Sequence, residues 1–131
     1  LDLAKSCHGQ TGSNPSVGCL IVKNDKIISV GKTSFKGRPH AETNAINNCT
    51  EDLSGSKMYI TLEPCHMCAK AIVDARIQNV YFAALEPKTG SIISMDNFFD
   101  KSFLNHKVNY SSGLMQQESS KLLKDFFLKR R

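Results

Sequence analysis

Two short segments carry the side chains that most restrict how this chain can fold. Residues 40–42 read HAE, and residues 64–68 read PCHMC. The C-x-x-C spacing lets the thiolates of Cys65 and Cys68 hold one metal ion at a helix start, where the helix N-terminus favours negative charge. His40 is available as a third ligand. We therefore expect a fold that brings both segments together around a metal ion.

Three protein ligands leave one position of a tetrahedral zinc ion open, and zinc lowers the pKa of a water in that position to about 7. A structural zinc site would need a fourth Cys or His, and a lone C-x-x-C is also compatible with a redox pair. Glu42 follows His40 by two residues, so its carboxylate can take and return protons beside the metal without binding it. His66 is a rival ligand, but its side chain should point away from a metal held by its neighbours.

Composition indicates one domain spanning residues 1–131. With 131 residues and 40% hydrophobic side chains, the chain can bury a core without disulfides. Five cysteines make an odd number, so we expect Cys7, Cys19 and Cys49 to be small buried hydrophobic residues rather than disulfide partners. No apolar stretch approaches the roughly 18 residues of a membrane span, and no signal-like segment is present. These features predict a cytoplasmic protein without membrane contact.

Basic residues concentrate at the C-terminus. The whole chain has a net charge of +5, of which +4 falls on the last eleven residues. These contain Asp125 and five basic residues, Lys121, Lys124, Lys129, Arg130 and Arg131. Such local charge favours an anionic partner, although a solvated helix end that complements the helix dipole is the alternative.

The pattern of apolar residues predicts an α/β fold. We expect strands over residues 17–22, 26–30, 58–62, 80–84 and 108–110, and helices over 41–49 and 66–75. An amphipathic helix is expected from Leu114 onward, with Leu114 and Met115 on its apolar face. This order predicts a three-layer α/β/α domain with a mixed five-stranded sheet. Residues 86–105 form the longest irregular stretch, and such loops are often functional.

The pair H-x-E and P-C-x-x-C matches the signature of zinc-dependent nucleobase deaminases. Essentially the whole chain resembles the cytidine deaminase superfamily. This resemblance implies a cytidine deaminase-like fold and one Zn²⁺ per chain, held by His40, Cys65 and Cys68, with Glu42 as the catalytic residue. It also implies a homodimer. The apolar helix over 69–75 is a candidate interface, although it would look the same if buried within one chain.

From Met58 onward the chain resembles bacterial tRNA-specific adenosine deaminases. The matching segments are TLEPCHMCAKAI, KTG at 88–90, LNHKV at 104–108 and the terminal FFLKRR. This likeness implies a tRNA anticodon stem-loop as partner and conversion of adenosine to inosine at the wobble position. The candidate substrate-binding residues are Asn14, Ala41, Pro64, Lys88, Asn105, His106, Phe127, Lys129, Arg130 and Arg131. Lys88 and His106 are equally compatible with a turn lysine and a capping histidine, and Phe127 also continues an apolar stripe.

The first half is more similar to the deaminase domain of riboflavin biosynthesis, through SNPSVGCLIVK at 13–23 and GRPHAE at 37–42. In that family an Asn-Pro pair suggests that Asn14 contacts the base. The Asn that tRNA deaminases usually carry before H-A-E is absent from residues 32–39, and the basic loop that riboflavin deaminases usually insert between their cysteines is absent too. A diaminohydroxyphosphoribosylaminopyrimidine deaminase is therefore the second reading. A catalytically inactive zinc-containing RNA-binding module is the third, and the intact Glu42 speaks against it.

Overall fold

A computed structural model describes residues 1–129, without the side chains of residues 123 and 125–129. In chain order the elements are α1 (Asp2–Ser6), β1 (Gly18–Lys23), β2 (Lys26–Lys32), α2 (Ala41–Asn48), β3 (Lys57–Leu62), α3 (His66–Asp74), β4 (Asn79–Ala84), β5 (Asn109–Ser112) and α4 (Gln116–Lys129). Two short 3₁₀ helices, Phe35–Gly37 and Phe98–Asp100, lie in loops. The five expected strands and the expected helices are present.

The five strands form one mixed sheet in the order β2-β1-β3-β4-β5. Strand β1 pairs antiparallel with β2 and β3, whereas β3, β4 and β5 run parallel. Asn24 and Asp25 join β1 to β2 with positive φ angles of 52° and 62°, as a tight two-residue hairpin turn requires. The parallel strands β3 and β4 need a crossover, which α3 provides. The predicted sheet is confirmed.

Successive side chains of each strand point to opposite faces of the sheet, and helices cover both faces. Cys19 and Ile21 of β1 are buried on one face, whereas Leu20 is half-buried on the other. Helix α2 packs on the first face and also contacts α3. Helix α1 contacts β1 and β2, and α4 contacts β3 and β4. The three-layer α/β/α architecture therefore agrees with the expectation from sequence.

The start of α2 is held closely against β2. Gly31 has no room for a side chain, because a Cβ there would collide with the backbones of Ala41 and Ala45. The Ser29 hydroxyl donates a hydrogen bond to the Ala45 carbonyl at 2.6 Å, and the Asn44 side-chain amide donates one to the Lys32 carbonyl at 2.7 Å. These contacts fix the position of the helix that follows His40.

The expected start of the last helix is wrong by two residues. Gly113 and Met115 adopt positive φ angles of 103° and 55°, so the backbone cannot be helical there and α4 begins at Gln116. Leu114 and Met115 are consequently exposed rather than part of an apolar helix face. Elsewhere, Cys7 and Cys19 are buried as expected, whereas Cys49 is half-buried. Within residues 1–129, no helix is long and apolar enough to cross a membrane.

Candidate zinc centre and substrate cavity

Three potential ligand side chains meet where α2 and α3 begin. His40 directly precedes α2, Cys65 directly precedes α3, and Cys68 lies in the first turn of α3. The His40 Nδ1 atom is 3.5 Å from the Cys68 Sγ atom and 3.7 Å from the Cys65 Sγ atom. The three ligand atoms all lie within 4.8 Å of one another. The fold thus assembles the ligand set predicted from the two short segments.

These distances fit a tetrahedral zinc ion. Zinc binds sulfur at about 2.3 Å and nitrogen at about 2.1 Å, which places tetrahedral N and S ligands about 3.6 Å apart. One imidazole nitrogen and two thiolates are a donor set that zinc prefers, and they leave a fourth position for a non-protein ligand. The residues present therefore fit a catalytic zinc site.

Of the three ligand side chains, only Cys65 has a pKa that is lowered. Hydrogen bonds from Cys68 and His40 lower the pKa of the Cys65 thiol to about 4, so it is a thiolate at neutral pH. The pKa of Cys68 is raised because its thiol donates to Cys65 and is buried. The hydrogen bond to Cys65 also raises the pKa of His40. Zinc binds deprotonated cysteine and neutral histidine. Loading the site must therefore release the protons that Cys68 and His40 retain.

Glu42 lies in the first turn of α2 and lines a cavity that also contains His40 and Cys65 on its wall. Its side chain is only 4% exposed, and burial raises the pKa of its carboxyl to about 7. The charge on Cys65 acts in the same direction. Among the described residues, the metal-ligand cluster does not include Glu42. A carboxyl with a pKa near neutrality is suited to both accept and return a proton.

The cavity beside these residues has a volume of about 460 Å³. Its wall includes His40, Glu42 and Cys65, and it continues over the following residues: Asn14, Thr33, Arg38, Glu86 and Thr89. The Asn14 side-chain amide donates a hydrogen bond to the Gly37 carbonyl at 2.9 Å, which holds Asn14 in place. Volumes of this order are typical of pockets for small organic groups.

Glu63 is a site residue that the sequence analysis did not single out. It is 3% exposed, and its carboxylate accepts hydrogen bonds from the backbone N–H groups of Glu86, Ile92, Ile93 and Ser94 at 2.8–3.1 Å. The Ser94 hydroxyl donates a fifth. Burial opposes the charge, but these hydrogen bonds outweigh it and lower the pKa of Glu63. The signal in the sequence was a carboxylate placed directly between a buried strand and the metal motif.

The hydrogen bonds of Glu63 hold a cavity-lining loop against the metal segment. Gly90 lies so close to the Glu63 carboxylate that a Cβ at residue 90 would collide with it. The Ser91 N–H donates to the Pro64 carbonyl at 2.9 Å, next to Cys65. Glu86 and Thr89, on the same loop, therefore keep their places on the cavity wall.

The other substrate candidates lie in different places. Ala41 and Pro64 are buried beside the metal ligands but do not line the cavity. Lys88 is exposed on the loop next to Thr89, and its backbone N–H donates to the Glu86 carboxylate. His66 is exposed and its ring contacts Phe98 at 4.8 Å, outside the ligand cluster as the sequence predicted.

Asn105 and His106 are not brought to the cavity. Arg76 donates to the carbonyl and side-chain oxygens of Asn105, and the His106 Nε2 atom is 2.9 Å from the Ile77 carbonyl. Arg76 and Ile77 precede β4, so they lie at the end of this parallel strand opposite the metal site. The His106 ring therefore contacts the segment between α3 and β4.

Several predictions about the C-terminus lie outside the described part. They concern Arg130, Arg131 and the side chains of Phe127 and Lys129. Lys121 and Lys124 are described, and both are exposed on α4. The candidate interface over residues 69–75 is largely internal, because Ala69, Ile72 and Val73 are buried in the core.

The fold and the site together define a zinc-dependent hydrolytic deaminase. Residues 1–84 match the family described as the cytidine and deoxycytidylate deaminase zinc-binding region. The chain belongs to this family.

Individual relatives fall into two groups. The chain is 40% identical over 124 residues to a tRNA-specific adenosine deaminase of Aquifex aeolicus, covering 88% of this chain and 82% of that protein. It is 37% identical over 137 residues to a diaminohydroxyphosphoribosylamino-pyrimidine deaminase of Buchnera aphidicola, covering 100% of this chain and 90% of that one.

Solved structures of both kinds of relative superpose on the chain. A Thermotoga maritima diaminohydroxyphosphoribosylaminopyrimidine deaminase/reductase superposes with a TM-score of 0.81 at 32% identity, over 99% of this chain and 39% of its own. A structure from studies of A-to-I editing by tRNA:A34 deaminases superposes with a TM-score of 0.73 at 34% identity, over 82% of this chain and 84% of its own.

Proposed function

We propose that this protein converts adenosine to inosine at the wobble position of a tRNA anticodon. The observation that carries the chemistry is the cluster of His40, Cys65 and Cys68 beside the buried carboxyl of Glu42. The choice of substrate is supported by the 40% identity to a tRNA-specific adenosine deaminase over most of both chains. The cytoplasmic location and the homodimer expected from sequence are parts of the same proposal.

Glu42 moves the protons of the reaction. When bound, zinc supplies the activated water that hydrolytic deamination consumes. Glu42 accepts a proton from water as the water oxygen bonds to C6 of the base, and passes this proton to the ring nitrogen. It then carries the second proton, from the new C6 hydroxyl, to the amino group, which leaves as ammonia when its bond to C6 breaks. A pKa of about 7 allows the same carboxyl to serve in both directions near neutral pH.

Asn14 and the loop held by Glu63 orient the base. Because the Asn14 amide nitrogen donates to Gly37, its Oδ1 atom remains available to accept a hydrogen bond from an amino group of the base. Glu86 and Thr89 form the facing part of the wall. An adenosine within an anticodon loop would have to leave its stack to enter this cavity.

The charge distribution also supports an RNA substrate. Lys121 and Lys124 are exposed on α4, and the sequence places three more basic residues at its end. An extended basic surface outside the cavity binds an RNA backbone, whereas a small metabolite needs cations only inside the cavity.

The second candidate function is deamination of the phosphoribosylated pyrimidine of riboflavin biosynthesis. Two observations favour it. The match to the Buchnera deaminase covers the whole of this chain. The Asn-Pro pair that resembles the riboflavin family, Asn14 and Pro15, lines the cavity. An inactive RNA-binding module is less well supported. A purely structural zinc site has no use for a buried carboxyl such as Glu42.

Ammonia release from two substrates tests the proposal. The zinc-loaded protein is incubated in parallel with an anticodon stem-loop containing adenosine at the wobble position and with the diaminopyrimidine nucleotide. We expect release from the stem-loop, with inosine as product, and none above background from the pyrimidine. Turnover of the pyrimidine alone would replace the proposed function by the second candidate, and turnover of neither would support the inactive module.

A further inference from the structure

We propose that Arg38 forms a phosphate-binding site at the mouth of the cavity, for a phosphate group of the substrate. This inference rests on the proposed function only in that the substrate is a nucleotide, alone or within RNA. Both substrate candidates carry the base on a sugar phosphate, so the phosphate is their shared chemistry.

Arg38 stands between the catalytic cavity and a neighbouring depression. It lines the cavity together with His40 and Glu42, and it also lines a second hollow of about 320 Å³ that includes Thr43 and Met67. A base placed beside Glu42 fills the first space, and the sugar phosphate attached to it can extend into the second. Arg38 is therefore placed where the charged part of a nucleotide would leave the cavity.

The charges of the cavity wall make a cation at this point important. Among the described residues that line the cavity, Arg38 is the only Lys or Arg, whereas three carboxyl groups belong to Glu42, Glu63 and Glu86. A phosphate that approaches this wall is repelled by ionised carboxylates within several ångströms. The guanidinium counters that repulsion and can bind two phosphate oxygens at once.

The Arg38 side chain is free to bind a ligand. It is exposed, and with the side chains that the structure describes it forms neither an ion pair nor a hydrogen bond. Other cations of the described chain, such as Lys101 and Lys107, are paired with Asp96 and Asp100. A phosphate would therefore not have to displace an existing partner.

The backbone around Arg38 is held in place on both sides. The Gly37 carbonyl accepts the hydrogen bond from Asn14, and the Gly37 N–H donates to the Ser34 carbonyl at 2.8 Å. On the other side, the Ser34 N–H donates to the Pro39 carbonyl at 3.1 Å. The loop is thus closed on itself and tied to the wall, so the backbone position of Arg38 is set before the substrate arrives.

Steady-state kinetics of R38A and of a matched control test this site. Lys36 is the control, because it is an exposed cation on the same loop, lies over the Phe35 ring and does not line the cavity. For the substrate that the parent turns over, we expect R38A to raise KM about tenfold or more while kcat stays within about threefold. K36A should change KM by less than about threefold, and R38K should recover part of the loss.

Substrates that lack the phosphate separate the site from a structural effect. With free nucleoside, R38A and the parent should have the same kcat/KM, because no phosphate is present to bind. A KM effect on the stem-loop assigns the ligand as an RNA backbone phosphate, and an effect on the pyrimidine nucleotide assigns it as that nucleotide's own phosphate. Zinc content and Tm should be unchanged, since Arg38 is exposed.

The two possible failures are distinguishable. If the parent is active but R38A and K36A have equal KM values, the phosphate site is wrong and the proposed function stands. If the parent turns over neither the stem-loop nor the pyrimidine nucleotide, the proposed function and the phosphate site both fail. An equal loss of kcat/KM on free nucleoside would also overturn the site, because it would show a general effect on the cavity.

Discussion

The metal-binding wall and the mouth of the cavity are built in different ways. The ligands His40, Cys65 and Cys68 sit at the starts of two helices, within 4.8 Å of one another and next to the core. The mouth is formed by Arg38 and Thr89, which are exposed and come from loops far apart in the chain. The ligands are therefore placed by the starts of two helices, whereas the part that meets the substrate is distributed over loops.

This difference explains why relatives with two different substrates match the chain almost equally well. The tRNA deaminase of Aquifex and the pyrimidine deaminase of Buchnera are 40% and 37% identical to it. Shared chemistry requires the same metal-binding wall, whereas a different substrate requires different contacts at the mouth. Substitutions in the two regions should consequently give different kinetic signatures.

The largest effect is expected for E42Q in the metal-binding wall. Glutamine keeps the size of the side chain but cannot exchange protons, so ammonia release should fall about 10³-fold or more. Zinc should remain at one per chain, because the ligand cluster of the described residues does not contain Glu42. Ammonia release and metal analysis measure the two quantities. E51Q, at an exposed carboxylate after α2, is the control, and E42Q activity within tenfold of the parent would disprove the catalytic assignment.

An intermediate effect is expected for E63Q, because Glu63 links the metal-binding wall to the loop at the mouth of the cavity. The amide nitrogen of glutamine cannot accept the hydrogen bonds that the lost oxygen received from the loop over residues 86–94. Leaving these buried donors unpaired should lower the free energy of unfolding by about 2–3 kcal/mol, and KM should rise about tenfold as the cavity wall loosens. Denaturant unfolding and steady-state kinetics provide the measurements.

G90A offers an independent route to the same loop. A Cβ at residue 90 displaces the Glu63 carboxylate without changing its charge, so the KM effect should resemble that of E63Q. G55A is the control, because Gly55 also lies in a loop but has open space around it; its positive φ of 77° strains an alanine, so the two variants are compared by KM and not by stability. If both E63Q and G90A retained the parent KM, the loop would not contribute to substrate binding.

The smallest effect is expected from removing residues 129–131. If these basic residues contact RNA outside the cavity, each lost phosphate contact reduces the slope of log K against log salt by about one. Affinity for the stem-loop should fall several-fold at low salt, and kcat for a small substrate should not change. Binding titrations at several salt concentrations measure the slope. An unchanged slope would mean that the C-terminal charge only complements the helix dipole.

The sequence was sufficient for the parts of the molecule that depend on local spacing. His40, Cys65 and Cys68 were predicted because H-x-E and C-x-x-C place ligands at helix starts wherever those helices lie. The strands were predicted from their apolar runs, and the mixed sheet followed from their order. Local rules succeeded here because both features are defined over a few neighbouring residues.

The sequence was insufficient for contacts between residues that lie far apart in the chain. Nothing local indicates that Glu63 accepts hydrogen bonds from N–H groups more than twenty residues later in the chain. The position of Asn105 and His106 away from the cavity was not predicted either, because a shared motif gives the order of residues but not the end of the sheet at which they lie. The start of α4 was misplaced because the positive φ of Met115 cannot be read from its side chain.

Close packing at Gly31 has a practical consequence for engineering. This residue touches no ligand, yet any side chain there would push on the backbones of Ala41 and Ala45 and move His40 and Glu42 together. A library designed to change the accepted base should therefore randomise Thr33 and Arg38 on the cavity wall and keep Gly31 constant. Diversity at residue 31 would yield clones with a displaced or unfolded α2 and would obscure the gains made at the mouth.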